Sequence, residues 1–223
     1  VLIYGDYDVD GITSVSFLYL LLKEIGVDVS YYIPDRQEEG YGLSPTGIEE
    51  AKRRGVTLIV TVDCGVTGHE EVELANKTGI EVIVSDHHEP GPTLPNAVAV
   101  LDPKRADCPY PFKELAGCGV AYKLGQGLLT RMNIDLSILE SYIELVAIGT
   151  SADIVPLVDE NRIFVKSGLQ RLNDTESLGL KALLTAAGLY GKEIGTGQIV
   201  FIIAPRINAV GRMGDAERAV KLL

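Results

Sequence analysis

The fold is decided by Tyr4-Gly5-Asp6-Tyr7-Asp8-Val9-Asp10-Gly11, which ends an apolar strand with three alternating acids and leads into an apolar helix. Side chains that alternate along an extended or turning backbone share one side, so the three carboxylates are expected to converge. Converged carboxylates repel one another, and a divalent cation is the usual relief of that repulsion. The stretch therefore predicts a metal site at the end of the first strand.

The same acids fit the first half of a calcium-binding EF-hand loop, an alternative that two features exclude. The bidentate glutamate of such a loop, six residues beyond its glycine, would fall on Phe17. Residues 1–4 also have the pattern of a strand, where an EF-hand requires a helix. The acids are therefore expected at a strand end rather than in a calcium loop.

Short apolar runs alternate with amphipathic helical patterns through the first half of the chain. This alternation predicts an α/β fold, with a parallel β-sheet flanked by helices. In such a sheet, ligands bind outside the carboxyl ends of the strands, where Asp63 and Asp86-His87-His88 also fall. The predicted strands are 1–4, 29–33, 58–62, 81–85 and 97–101. The predicted helices are 11–25, one that is capped by Ser44-Pro45-Thr46 and runs to Arg54, with Thr46 and Glu49 in capping-box spacing, and 70–77.

The second half of the pattern is mostly helical. Asp153 lies on a turn between the predicted helices 136–148 and 162–172. This is an unusual place for an unpaired carboxylate because the neighbouring residues are apolar. The predicted helices are 119–132, 136–148, 162–172, 178–189 and one that starts at Asp215, with a strand over 199–203 and a basic loop over 205–212.

Composition limits the possible partners and compartments. The chain has 223 residues and a net charge of −11, which at first sight disfavours a polyanionic partner. Two bound divalent cations would bring the charge to −7, and nucleic acid would then require a local basic groove or a further domain. No apolar run has transmembrane length, and three cysteines without Cys-x-x-Cys spacing disfavour a disulfide framework or a zinc ribbon. We therefore expect buried cysteines in a soluble, cytoplasmic protein.

Acids from three strand ends, a later acid and one or two histidines make a mixed oxygen and nitrogen ligand set. Such a set suits Mn²⁺ or Mg²⁺ better than zinc, and it exceeds the needs of one ion. Two ions bridged by a carboxylate and water hydrolyse phosphate esters by in-line attack. Taken singly, Asp63 or Asp153 is typical of a helix N-cap and His87 or His88 of packing or capping, so it is their conjunction that favours a metal site.

Basic residues at the same edge favour a phosphate ligand. Arg36 follows the second strand, and Arg206, Asn208 and Arg212 could clamp a second phosphate. Tyr7, Tyr41 and Tyr110 fall in neighbouring loops, but they form no stacking row for bases.

These motifs together resemble the DHH phosphoesterase superfamily, whose name matches Asp86-His87-His88. Within it they are most similar to the 5′-to-3′ exonucleases specific for single-stranded DNA. The resemblance covers nearly the whole chain in the right order, at residues 4–14, 33–43, 62–65, 116–121, 152–157 and 205–209.

The resemblance implies a role for each site residue. Asp63 would bridge two ions and, with Asp86 and His88, act in catalysis; His88 would contact the scissile phosphate, and Asp86 would orient a histidine. Other members of the superfamily carry a histidine two residues before the position that matches Asp6, and this chain has Tyr4 there. The implied metal ligands are Asp6, Asp8, Asp10, Asp63, His87 and Asp153, and the implied substrate-binding residues are Arg36, His88, Arg206 and Asn208.

The resemblance also implies an activity and a domain organisation. The chain would be a monomeric catalytic domain over residues 1–214, with a parallel half (1–103) and a mostly helical half (104–214). Residues 215–223 would start an interdomain linker helix, with the family's second domain absent after Leu223. The implied enzyme uses two Mn²⁺ ions, with Mg²⁺ as an alternative, and releases 5′-mononucleotides from single-stranded DNA in repair and recombination. Two alternatives stay open: a relative acting on short oligonucleotides, cyclic dinucleotides or pyrophosphate, and a replication scaffold without catalytic activity.

Overall fold

The structure is a computed structural model that describes residues 1–212 and 216–223, with only the backbone of Arg212. Its first half contains a five-stranded sheet in the order β2-β1-β3-β4-β5, in which every neighbouring pair is parallel. The α/β class predicted from the apolar runs is confirmed. The strands are β1 (Leu2–Gly5), β2 (Ser30–Tyr32), β3 (Leu58–Val62), β4 (Glu81–Ser85) and β5 (Ala99–Leu101).

Both faces of the sheet are covered because its central strands are apolar on both sides. In β1, Leu2 and Tyr4 face one hydrophobic cluster, whereas Ile3 between them faces the other. Helices α2 (Pro45–Arg53) and α3 (His69–Lys77) pack in the first cluster, and α1 (Val9–Glu24) packs in the second.

The predicted mostly helical portion is also confirmed. It packs around α1, which contacts the helices over Gly117–Met132 and Ile143–Ala152 and the last two helices, and the helix over Gly117–Met132 also contacts β3 and β4. The domain boundary predicted at residues 214 and 215 lies outside the described residues and stays a prediction. The segments are α4 (Gly117–Met132), a 3₁₀ segment (Leu136–Tyr142), α5 (Ile143–Ala152), α6 (Asp159–Asn173), α7 (Leu178–Ala186), α8 (Thr196–Gln198), a π-helical segment (Ile199–Ile203), α9 (Ala204–Arg212) and α10 (Ala216–Leu222).

Two predictions in this portion are wrong. Residues 199–203 form no strand, and residues 205–212 belong to a helix rather than a basic loop. Ile199, Ile203 and Ile207 are buried at a spacing of four residues, which is helical, although the β-branched run itself favours a strand. The N–H of Ala204 donates to the carbonyl of Ile199, five residues back, before Pro205, which has no N–H to donate.

The cap of α2 lies in the predicted segment 44–46, but not at the residue that the capping-box spacing indicated. The N–H of Gly47 donates to Ser44 Oγ at 2.9 Å, so Ser44 rather than Thr46 is the N-cap. Pro45 takes the first helical position, where its fixed φ suits a helix start. Within the described part of the chain, no helix is both long and apolar enough to cross a membrane.

Candidate metal centre

The three acids after β1 approach one another by a different route from the predicted one. Asp8 is the N-cap of α1 and accepts a hydrogen bond from the N–H of Gly11 at 3.0 Å, so Asp10 already lies in the first helical turn. The acids therefore do not share one side of an extended strand. Ligand atoms of Asp6, Asp8 and Asp63 lie within 4.8 Å of one another, whereas Asp10 faces a second group.

Asp63 directly follows β3 and has a strained conformation. Its φ is 60°, in the left-handed region that few residues other than glycine adopt, and it is 2 % exposed. Strain of this kind persists where the surrounding structure holds it for function. A Cβ at Gly117 would lie 2.5 Å from Asp63 Oδ1, so α4 approaches this carboxylate because residue 117 has no side chain.

Asp10 is fixed by the start of α4. The N–H groups of Gly117 and Cys118 donate to its two carboxylate oxygens at 2.6 and 3.0 Å. These N–H groups have no partner within their own helix, and the positive end of the helix dipole favours a carboxylate there. From the other side, α5 approaches through Gly149, where a Cβ would lie 2.7 Å from Asp10 Oδ1. The carboxylate therefore has little freedom to turn.

His87 lies among three of the predicted ligands. Its Nε2 is 3.0 Å from Asp63 Oδ1, 3.8 Å from Asp153 Oδ2 and 3.9 Å from Asp10 Oδ2. Neither Nε2 nor Asp63 Oδ1 has a hydrogen-bond partner among the described residues, so the two atoms face one another at 3.0 Å without a hydrogen bond. Burial lowers the pKa of His87 and favours the neutral ring. Unpaired buried lone pairs that face one another are costly without a cation between them.

Asp153 comes to this group from the end of α5. Its N–H donates to the carbonyl of Gly149, which makes it the C-cap of α5 rather than an N-cap. A carboxylate is disfavoured at the negative end of a helix dipole. Asp10, His87 and Asp153 nevertheless offer ligand atoms within 4.8 Å of one another. A cation at this point would offset both the dipole and the neighbouring carboxylates.

The raised pKa values of the acids show that no positive charge among the described residues balances these carboxylates. Burial, then the charges of Asp10 and Asp8, raises the pKa of Asp63 well above its usual range. Burial and Asp8 raise the pKa of Asp6 to about 7, and burial and Asp10 raise the pKa of Asp153 to about 7. The unpaired atoms and raised pKa values fit one or two divalent cations, and the oxygen-rich ligand set fits Mn²⁺ or Mg²⁺ better than zinc.

Asp86 holds the outer histidine. Its Oδ1 lies 2.7 Å from His88 Nδ1 and accepts the N–H groups of His87 and His88, and its Oδ2 accepts the N–H of Val66 at 2.9 Å. Burial alone would raise the pKa of Asp86, but the His88 hydrogen bond, its charge and the backbone donors outweigh burial and lower it. The same hydrogen bond raises the pKa of His88. The geometry suits Asp86 to orient His88, which is half-exposed beside the acids.

The residues predicted to contact phosphate do not lie in one group as the predicted metal ligands do. Arg36 is exposed, and its guanidinium lies 5.3 Å from the centre of the Tyr7 ring, beside the Asp6 loop. Arg206 and Asn208 lie on α9, and the side chain of Arg212 is outside the described residues. Arg206 lines a groove that contains none of the predicted metal ligands, together with Leu183, Ile207, Val210, Arg218, Ala219 and Leu222.

Sequence reasoning missed the contributions of three residues to the centre. Gly117 and Gly149 give α4 and α5 their close approach, and the sequence signal is small residues inside apolar helices. Tyr41 was predicted only as a loop tyrosine, yet its hydroxyl lies 3.1 Å from the Asp63 carbonyl and 3.1 Å from His88 Nδ1.

Comparison with known proteins identifies the family. The family model described as the DHH family, N-terminal domain, matches residues 1–150. The chain belongs to the DHH family. Asp86-His87-His88 is thus the family's name-giving triplet at the end of β4, and the predicted family is confirmed.

The curated proteins that are similar to this chain are longer than it. The "Single-stranded-DNA-specific exonuclease RecJ" of Bacillus subtilis (strain 168) is 47 % identical over 223 residues, which cover 100 % of this chain and 28 % of that protein. RecJ of Escherichia coli (strain K12) is 42 % identical over 234 residues, which cover 100 % of this chain and 41 % of that protein. The chain therefore spans less than half the length of these relatives.

Solved structures show the same fold. A crystal structure of exonuclease RecJ bound to manganese aligns with a TM-score of 0.88 and 41 % identity, over 100 % of this chain and 55 % of that one. RecJ in complex with Mn²⁺ from Thermus thermophilus aligns with a TM-score of 0.83 and 38 % identity, over 100 % of this chain and 31 % of that one.

Proposed function

We propose that this chain is the catalytic domain of a metal-dependent exonuclease that hydrolyses single-stranded DNA from its 5′ end. The observation that carries the proposal is the convergence of Asp63, His87 and acids from the β1 loop and α5 at one buried edge of the sheet. The RecJ relatives are named single-stranded-DNA-specific exonucleases, and two solved RecJ structures are described as containing Mn²⁺.

The ligand groups suggest how two cations would be shared. Asp6, Asp8 and Asp63 would hold one ion, and Asp10, His87 and Asp153 the other. Asp63 belongs to the first group and lies 3.0 Å from His87 of the second, so it is the proposed bridge. Bound Mn²⁺, or Mg²⁺ in its place, supplies Lewis acidity and lowers the pKa of a coordinated water so that it can attack phosphorus near neutral pH.

The chain's own residues would position the phosphodiester. His88 is held by Asp86, and its pKa is raised by that contact, so its imidazolium can donate to a phosphate oxygen. Arg36, beside the Asp6 loop, would bind a neighbouring phosphate of the strand. Arg206 and Asn208 on α9 would contact the backbone farther along the same strand.

The proposal extends to the organisation of the protein. Residues 1–214 would form the catalytic domain and residues 215–223 the start of a linker helix, in a monomer that acts in DNA repair and recombination. A cytoplasmic location is part of the proposal, and its support is the three unpaired thiols of Cys64, Cys108 and Cys118.

A digest of 5′-labelled single-stranded DNA tests the activity. With Mn²⁺, we expect stepwise release of 5′-mononucleotides, no cleavage of the duplex form and complete loss of activity with a chelator. Asp63→Asn should be inactive at the same protein concentration. Hydrolysis confined to dinucleotides, cyclic dinucleotides or pyrophosphate would instead support the alternative enzyme, and an inert but Mn²⁺-loaded protein would support the scaffold.

A further inference from the structure

The loop between β2 and α2 holds Tyr41 over the metal centre. Gly40 and Gly42 flank it with φ values of 85° and 82°, and a Cβ at either would meet nothing within 4 Å. The glycines are therefore required by the backbone turn and not by crowding. The loop is anchored through Glu39, which accepts hydrogen bonds from the Tyr32 hydroxyl and the Asp35 N–H at 2.8 Å each and from the Ser44 hydroxyl.

The Tyr41 hydroxyl joins two residues of the proposed site. It donates to the Asp63 carbonyl at 3.1 Å and lies 3.1 Å from Nδ1 and 3.4 Å from Nε2 of His88. The two rings meet edge to face, with centroids 5.6 Å apart and an angle of 73°. The centre of the His87 ring lies 4.5 Å from the centre of the His88 ring. His88 is thus confined by Asp86, His87 and Tyr41.

We propose that Tyr41 is a positioning residue whose hydroxyl, fixed by the Asp63 carbonyl, holds the imidazole of His88 in its reactive orientation. Asp86 restrains the ring at Nδ1, and a ring held at one atom can still tilt about that contact. The Tyr41 hydroxyl, which lies within 3.4 Å of both ring nitrogens, limits this tilt. Because Asp63 directly follows β3 and His88 lies after β4, Tyr41 also couples the orientation of the histidine to the strand end beside the proposed bridging carboxylate. This inference rests on the proposed function.

Tyr41→Phe tests the role because it removes the hydroxyl and keeps the ring. The hydrogen bond that is lost, from the Tyr41 hydroxyl to the Asp63 carbonyl, joins two uncharged groups, and its loss corresponds to roughly a ten-fold change in rate when it acts only on the transition state. We expect kcat to fall about ten-fold by this measure. KM and Mn²⁺ affinity should stay within about two-fold of the parent values, and the melting temperature within about two degrees. The substrates are 5′-phosphorylated single-stranded DNA and the p-nitrophenyl ester of thymidine 5′-phosphate, which requires no grip on a strand.

Tyr32→Phe is the matched control. It removes a tyrosine hydroxyl that ties down the same loop through Glu39, but that hydroxyl binds neither Asp63 nor His88. We expect its kcat to match that of the parent. Equal losses in Tyr32→Phe and Tyr41→Phe would mean that Tyr41 only anchors the loop, and the inference would be overturned.

A double-variant cycle with Asp86→Asn tests whether both residues act on one ring. If they do, Tyr41→Phe should cost little more once Asp86→Asn has freed His88. Independent, multiplicative losses would overturn the inference. A parent protein that hydrolyses neither substrate would refute the proposed function itself, whereas an active parent with an unchanged Tyr41→Phe variant would refute only the role of Tyr41.

Discussion

The close approach of α4 to Asp63 provides the sharpest mutational test. Gly117→Ala would place a methyl carbon 2.5 Å from Oδ1 of Asp63 and 2.7 Å from its Cβ and Cγ. Ordinary contact begins near 3.4 Å, so the carboxylate or the start of α4 must move by about 0.9 Å. Overpacking of this kind costs about 1–3 kcal/mol. Asp63 cannot yield freely because its backbone is already in the left-handed region.

The same movement should disturb metal binding more than folding. The N–H of Gly117 also donates to Asp10 at 2.6 Å, so a shift of α4 displaces two proposed ligands together. A misplacement of about 1 Å costs on the order of 100-fold in activity. We therefore expect Gly117→Ala to lower kcat about 100-fold and to weaken Mn²⁺ binding at least about ten-fold, while the variant stays folded.

Calorimetric titration with Mn²⁺, thermal melting and the DNA digest together measure this effect. Gly127→Ala is the matched control because it lies on the exposed side of α4, where a Cβ meets nothing within 4 Å. It should leave activity unchanged and stabilise the helix by up to about 1 kcal/mol. A folded Gly117→Ala variant with the Mn²⁺ affinity and kcat of the parent would refute the claim that α4 positions Asp63.

Three other predictions concern the acids and the proposed substrate contact. Asp63→Ala should abolish Mn²⁺ binding and hydrolysis together, as measured by calorimetry and the digest; an intact rate would show that Asp63 does not bridge. Because the pKa values of Asp6 and Asp153 are raised to about 7 from 3.8, the folded metal-free protein retains protons that the unfolded chain releases. Its melting temperature should therefore fall as pH rises from about 4 to about 7, and Mn²⁺ should raise it most at the upper end; a flat or rising profile in chelator would contradict these shifts. Arg36→Gln should raise KM for single-stranded DNA at unchanged kcat and reduce the slope of log affinity against log salt by about 0.7, whereas an unchanged slope would exclude a phosphate contact.

The local sequence pattern was sufficient to predict the sheet and the edge at which the proposed metal ligands lie. Apolar runs that end on Asp63 and on Asp86 define parallel strands, and parallel strands bring their carboxyl ends to one edge whatever the loops do. The same argument placed the Asp6 loop there, although its acids approach through a helix cap and not through alternation along a strand.

The errors arose where distant contacts decide the structure. Residues 199–203 are β-branched and apolar, but Ile199 and Ile203 are buried at helical spacing only because the neighbouring helices cover that side. Gly117 serves Asp10, 107 positions earlier in the chain, and no local pattern carries that relation. The hydroxyl of Tyr41 reaches Asp63 and His88 across three separate loops, so its role becomes visible only in the folded protein.

The central claim is that acids and a histidine from distant parts of the chain share a pair of cations. Anomalous diffraction from a crystal soaked in Mn²⁺ tests it most directly. We predict two peaks about 3.5–4 Å apart, with Asp63 between them, Asp6 and Asp8 on one ion, and Asp10, His87 and Asp153 on the other. A single peak, or a pair that does not include Asp63 as a shared ligand, would contradict it.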